Sequence, residues 1–151
     1  MLWHWPDRWL EDMALTAKEY LQQYKEATKI IERVRAEYEE QMEQIETIRS
    51  ALGGDGMPRS GEVSKKVEAD AVRLAEKAEE LVQLEVWAVE VRQDIVRTIN
   101  KISGAPADIL RERYINLLLW EDVADTVGYS LRRTFELHRE GLEEVETIMK
   151  K

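Results

Sequence analysis

Two runs of apolar residues, each recurring at every seventh position, flank a glycine-rich break and leave few folds open to this chain. The first run is Ala17, Tyr24, Ile31, Tyr38, Ile45 and Leu52. A companion series falls at Tyr20, Ala27, Val34, Gln41 and Ile48. Alternate steps of three and four residues put all of these on one side of an α-helix, as an a/d seam. Gln41, beside Met42, is a polar interruption, and Glu, Lys and Arg fill the flanks. A helix over this span would be roughly 50 Å long at 1.5 Å per residue.

The pattern stops at residues 53–61, where Gly53, Gly54, Gly56, Pro58 and Gly61 mark a turn. A second seam follows at Val67, Leu74, Leu81, Ala88, Ile95 and Ile102, with Ala71, Ala78 and Ile99 at alternate positions. Leu84, Trp87 and Val91 widen its apolar face, and Ser64 is a predicted helix cap. The spacing therefore predicts an all-α fold, with a long antiparallel helical (coiled-coil) hairpin at residues 17–103. Two seams of this length bury a narrow stripe. A second copy packed alongside, giving a homodimer, would cover more of it. The alternative is a C-terminal module folded back on the hairpin.

That module, residues 104–151, carries a different pattern. Ser103 and Gly104 end the second long helix, and Pro106 suits the first turn of the next. Val123, Ala124 and Val127 form one apolar face, Gly128 supplies a turn, and Ser130 caps a longer helix. Thr134, Leu137 and Gly141 give that helix an inner face, while Tyr114, Leu118, Trp120 and Val123 read as core. This is the order of a helix-turn-helix, a motif that presents its second helix to a DNA major groove. Leu131, Arg132, Phe135 and Glu136 are predicted to point outward. The candidate contact set for double-stranded DNA is Ser130, Leu131, Arg132, Arg133, Phe135, Glu136 and Arg139. Arginine pairs with guanine or phosphate, and a carboxylate accepts from cytosine.

The run from Leu110 to Tyr114, the Trp120–Ala124 segment, the Gly128-Tyr129-Ser130 turn and the Leu137-His138 pair are similar to region 4 of bacterial sigma factors. The chain resembles more closely a group of small phage and prophage regulators with a sigma-region-4-like C-terminal domain, of the ArpU and RinA type. Met57-Pro58-Arg59, between two long charged helices, adds to that resemblance. The resemblance implies a DNA-binding transcription regulator with RNA polymerase as a partner, acting in the bacterial host cytoplasm. Leu117-Leu118-Leu119 departs from the group's polar or glycine-containing turn, and Leu119 replaces the expected Ser or Thr cap.

Charge bears on the same question. The formal net charge is −9, whereas nucleic-acid binders are usually basic. Between residues 105 and 142 five arginines face seven acids, but the start of the last helix carries Arg132, Arg133 and Arg139 against Glu136 and Glu140. Cysteine is absent, which excludes disulfides and thiolate metal sites. The two histidines, His4 and His138, lack metal-ligand spacing, so no metal or cofactor is expected, and no catalysis. Gly56 and Gly61 have the spacing of a phosphate-binding loop, but Glu62 and Val63 stand where its Lys and hydroxyl belong. No apolar run approaches the roughly 20 residues of a membrane span, and the first residues lack the basic and apolar regions of a secretory signal.

The N-terminal segment, residues 1–16, concentrates Trp3, Trp5 and Trp9. They read as a staple on the helical bundle or as a docking patch for a protein partner, since large aromatics dominate hot spots. Two functional readings stand beside the DNA-binding regulator. One is a protein interaction module that does not touch DNA, favoured by the acidic balance. The other is a phage DNA-packaging recognition subunit.

Overall fold

The computed structural model describes residues 15–52 and 61–151. The expectations for Trp3, Trp5 and Trp9, and for Met57-Pro58-Arg59, lie outside the described residues. Every element among the described residues is helical. Helix α1 spans Ala17–Leu52 and α2 spans Gly61–Ile99; α3 spans Ala105–Leu110 and continues into a π-helical turn at Arg111–Ile115. Helix α4 spans Trp120–Val127 and α5 spans Leu131–Met149. The chain is an all-α protein in which a hairpin of two long helices precedes shorter ones.

Local chemistry explains the ends. The Glu19 amide donates to Thr16 Oγ1 at 3.2 Å, so Thr16 caps α1. Helix α2 begins at Gly61, three residues before the predicted cap, and Ser64 therefore sits inside it. Glu62 in the first turn complements the helix dipole there. At the far end, Lys101 and Ile102 donate back three residues, to Thr98 and Ile99, and tighten the chain out of α2. Gly104, at φ 79°, makes the bend that Pro106 follows.

Among the described residues the chain divides into two compact units, one within Lys29–Val86 and the other formed by Trp87–Lys151 with residues 15–28. In the first, Ile31, Val34, Ile45 and Leu84 are buried, and Tyr38, Gln41 and Ile48 are half-buried, so the α1 seam is an interior face. The α2 seam is less covered: Val67, Ala71, Leu74, Ala78 and Leu81 are all half-buried. Arg35 pairs with Glu85 at 2.7 Å, and Lys77 pairs with Glu37. Partner numbers fall on α2 as they rise on α1, the mark of an antiparallel pair. Such exposed ion pairs are each worth at most about 1 kcal/mol.

The second unit joins the hairpin base to the C-terminal helices through one core. Ala17, Tyr20, Leu21, Ile95, Ile99 and Ile102 pack with Ala107, Leu110, Tyr114, Ile115 and Val145. The Tyr20 hydroxyl donates to the Asp94 carboxylate and meets the Thr98 hydroxyl at 2.9 Å, tying α1 to α2 at this level. The chain position that ends α2, near residue 103, is thus not where packing divides. The apolar residues on its two sides share a single interior.

Candidate nucleic-acid interface

The motif is built by three local devices. First, Gly128 takes the left-handed conformation, φ 78°, and its amide donates to the Ala124 carbonyl at 2.9 Å, closing α4. Second, Ser130 Oγ accepts from the Arg133 amide at 3.1 Å and starts α5, and its carbonyl accepts from both the amide and the hydroxyl of Thr134. Third, Ile109, Val123 and Leu137 form a small core between α3, α4 and α5, with Leu118, Trp120 and Val127 packed around it. The inner face of α5 is Thr134, Leu137, Gly141 and Val145, all buried.

That burial leaves a defined outer face. Leu131 is 41% exposed and Phe135 43%, and the Arg132 side chain is 92% exposed. Arg133, Glu136 and Arg139 are exposed as well, as is Ser130, whose hydroxyl oxygen is engaged as the cap. The structure thus brings all seven candidate contact residues onto one end of α5. Glu136 stands between two of them, 3.8 Å from Arg132 and 3.1 Å from Arg133. This contact follows from helical i,i+3 and i,i+4 spacing, a signal present in the sequence and overlooked there. A DNA phosphate or guanine would compete with Glu136 for both guanidinium groups. Basic charge is confined to the first turns of α5, since Glu140, Glu143, Glu144 and Glu146 follow. Glu121 and Asp122 open α4 and repel phosphate there.

Sequence reasoning also missed what holds α4 in place. Leu117 adopts φ 57°, unusual for a residue with a side chain, and Leu118 donates its amide to the Glu112 carbonyl at 3.0 Å. Arg113 secures this reversal by donating to the Leu118 carbonyl at 2.9 Å, while its guanidinium lies 4.6 Å over the Trp120 ring. Trp120, expected as core, is half-buried. Its rim meets Phe135 and His138 edge-on, at 4.9 and 4.6 Å between ring centroids. The Tyr114 hydroxyl lies 2.7 Å from His138 Nε2. Burial raises Tyr114 to about 12 and lowers His138 to about 4, with Lys18 and Arg113 adding to the histidine's shift. At neutral pH the imidazole is therefore uncharged and shares a single hydrogen bond with the phenol.

Compared with family models, curated proteins and solved structures, the chain matches none. Among the described residues no cluster of His, Asp or Glu is arranged to hold a metal ion, and no helix is long and apolar enough to cross a membrane.

The His138 ring sets a pH dependence whose sign follows from linkage. The unfolded ring takes a proton near 6.5, the folded one only near about 4. Between those values the unfolded state binds more protons, so this group removes stability as pH falls. His138→Gln keeps a hydrogen-bonding side chain opposite Tyr114 but does not titrate. Urea unfolding at pH 7 and at pH 4.5 should show the native chain losing more stability than the variant over this interval. Equal losses would mean that His138 is not held neutral by its surroundings.

Proposed function

We propose that this chain is a DNA-binding transcription regulator that reads a duplex with α5, in the manner implied by its resemblance to the sigma-region-4-like phage and prophage regulators. The observation that carries the reading is the outer face of α5. A helix begun by a Ser130 cap after a Gly128 turn presents Leu131, Arg132, Phe135 and Arg139 outward, where a helix-turn-helix meets the major groove. In that reading Arg132 and Arg133 contact phosphate or guanine after releasing Glu136. RNA polymerase is the protein partner that the resemblance suggests, and the bacterial host cytoplasm is the compartment. The net charge of −9 favours one rival, a module that contacts only protein.

Dimerisation through the hairpin belongs to the same proposal. Val72, Val82 and Val86 are 58%, 58% and 54% exposed and lie along one side of α2, next to a seam that is only half covered. A second copy would cover both.

The DNA reading is tested by titrating labelled duplexes, selected from a random pool, with the native chain and with a variant carrying Arg132→Ala and Arg133→Ala. Native binding should be modest, because few phosphates are neutralised against an acidic background, and should weaken with salt in proportion to the number of phosphates contacted. The double variant should lose about 1–3 kcal/mol or more while keeping its helix content. Equal binding by both chains, or none by the native chain, would transfer the function to a protein partner. The dimer is tested separately by sedimentation. Val82→Glu with Val86→Glu should halve the mass in solution without loss of helix, and a native chain that already sediments as a monomer would contradict it.

A further inference from the structure

The outer face of α5 holds two features whose juxtaposition the DNA reading leaves unused. Leu131 and Phe135, four residues apart, are large apolar side chains left about two-fifths exposed on a helix that buries Thr134, Leu137, Gly141 and Val145. Arg132 and Arg139, three residues before and four after Phe135, are exposed on the same side of the helix. Phe135 does not hang loose, because Trp120 stands edge-on to it at 4.9 Å. The structure therefore presents a positioned apolar ridge with two arginines along one flank, of which Arg132 lies 3.8 Å from Glu136.

We infer that this ridge makes α5 selective for thymine, with Leu131 and Phe135 packing on C5-methyl groups in the major groove while the arginines engage phosphate or guanine beside them. The inference rests on the DNA-binding reading and specifies what that site takes. The chemistry is restrictive. A major groove offers donors and acceptors to polar side chains, and the thymine methyl is the apolar group it offers. Arginine along the ridge matches neighbouring phosphates in charge.

The test uses the full chain and a duplex selected from a random pool. Each thymine in turn is replaced by deoxyuridine, which pairs identically and lacks only the methyl group. Affinity should fall about fourfold at one or two positions, as expected for one buried methyl, and hold elsewhere. In Leu131→Ala and Phe135→Ala chains of native helix content, thymine and uracil should be bound alike at the affected position. Binding that is indifferent to every replacement overturns the inference and leaves the DNA reading intact. The same holds if both variants keep the native discrimination, since the methyl is then read elsewhere. Failure of the native chain to bind any selected duplex overturns both. A native chain whose mass in solution drops on Phe135→Ala assigns the ridge to a second copy, which also overturns the inference.

Discussion

The close approach of α5 to Leu110 sets the position of everything at the C-terminal end. A Cβ placed on Gly141 would come within 3.1 Å of Leu110 Cγ and Cδ1, so the helix lies directly on that side chain. Leu110 is fully buried and belongs to the core shared with Tyr20, Leu21, Ile95, Ile99 and Val145. The helix that presents Arg132 and Phe135 is thus seated on the hairpin base. Its inner face, Thr134, Leu137, Gly141 and Val145, leaves one orientation in which no apolar residue of that face is lost to water.

A second constraint acts from the other side. Arg113 reaches from the π-helical turn to the Leu118 carbonyl and the Trp120 ring, and Trp120 touches both Phe135 and His138. The outward residue Phe135 and the inward residue His138 are therefore braced by the same tryptophan. On the proposed DNA-binding reading this rigidity would matter, because a recognition helix discriminates only if its side chains are held in place before contact. The left-handed Leu117 backbone is tolerated within this brace, where glycine would ordinarily be expected.

The long helices were legible because the apolar period and the glycine break act locally and over many residues. The turn was legible for the same reason: Gly128 and Ser130 each perform one stereochemical task, and they perform it here. The inner and outer faces of α5 followed from spacing alone. The π-helical turn at Arg111–Ile115 was not legible, since no residue there signals it. It arises in tertiary packing, where consecutive Tyr114 and Ile115 both go inside. The surroundings of Trp120 were hidden likewise, because Arg113 comes over its ring from another segment. Ser64 carried a capping signal that Gly61 and Glu62 pre-empted by starting α2 earlier. At the candidate site, residue identity and direction could be read from the sequence, and the engagement of Arg132 and Arg133 by Glu136 was implied by the same helical spacing though not read from it.

The central claim is that the outer face of α5, braced from both sides, is where this chain meets DNA. Amide and side-chain resonances followed while a selected duplex is added test it most directly. The account predicts shifts concentrated from Ser130 to Arg139, with the buried residues Leu110 and Val145 little changed. Shifts confined to α1 and α2, or a spectrum that the duplex does not alter, would contradict it.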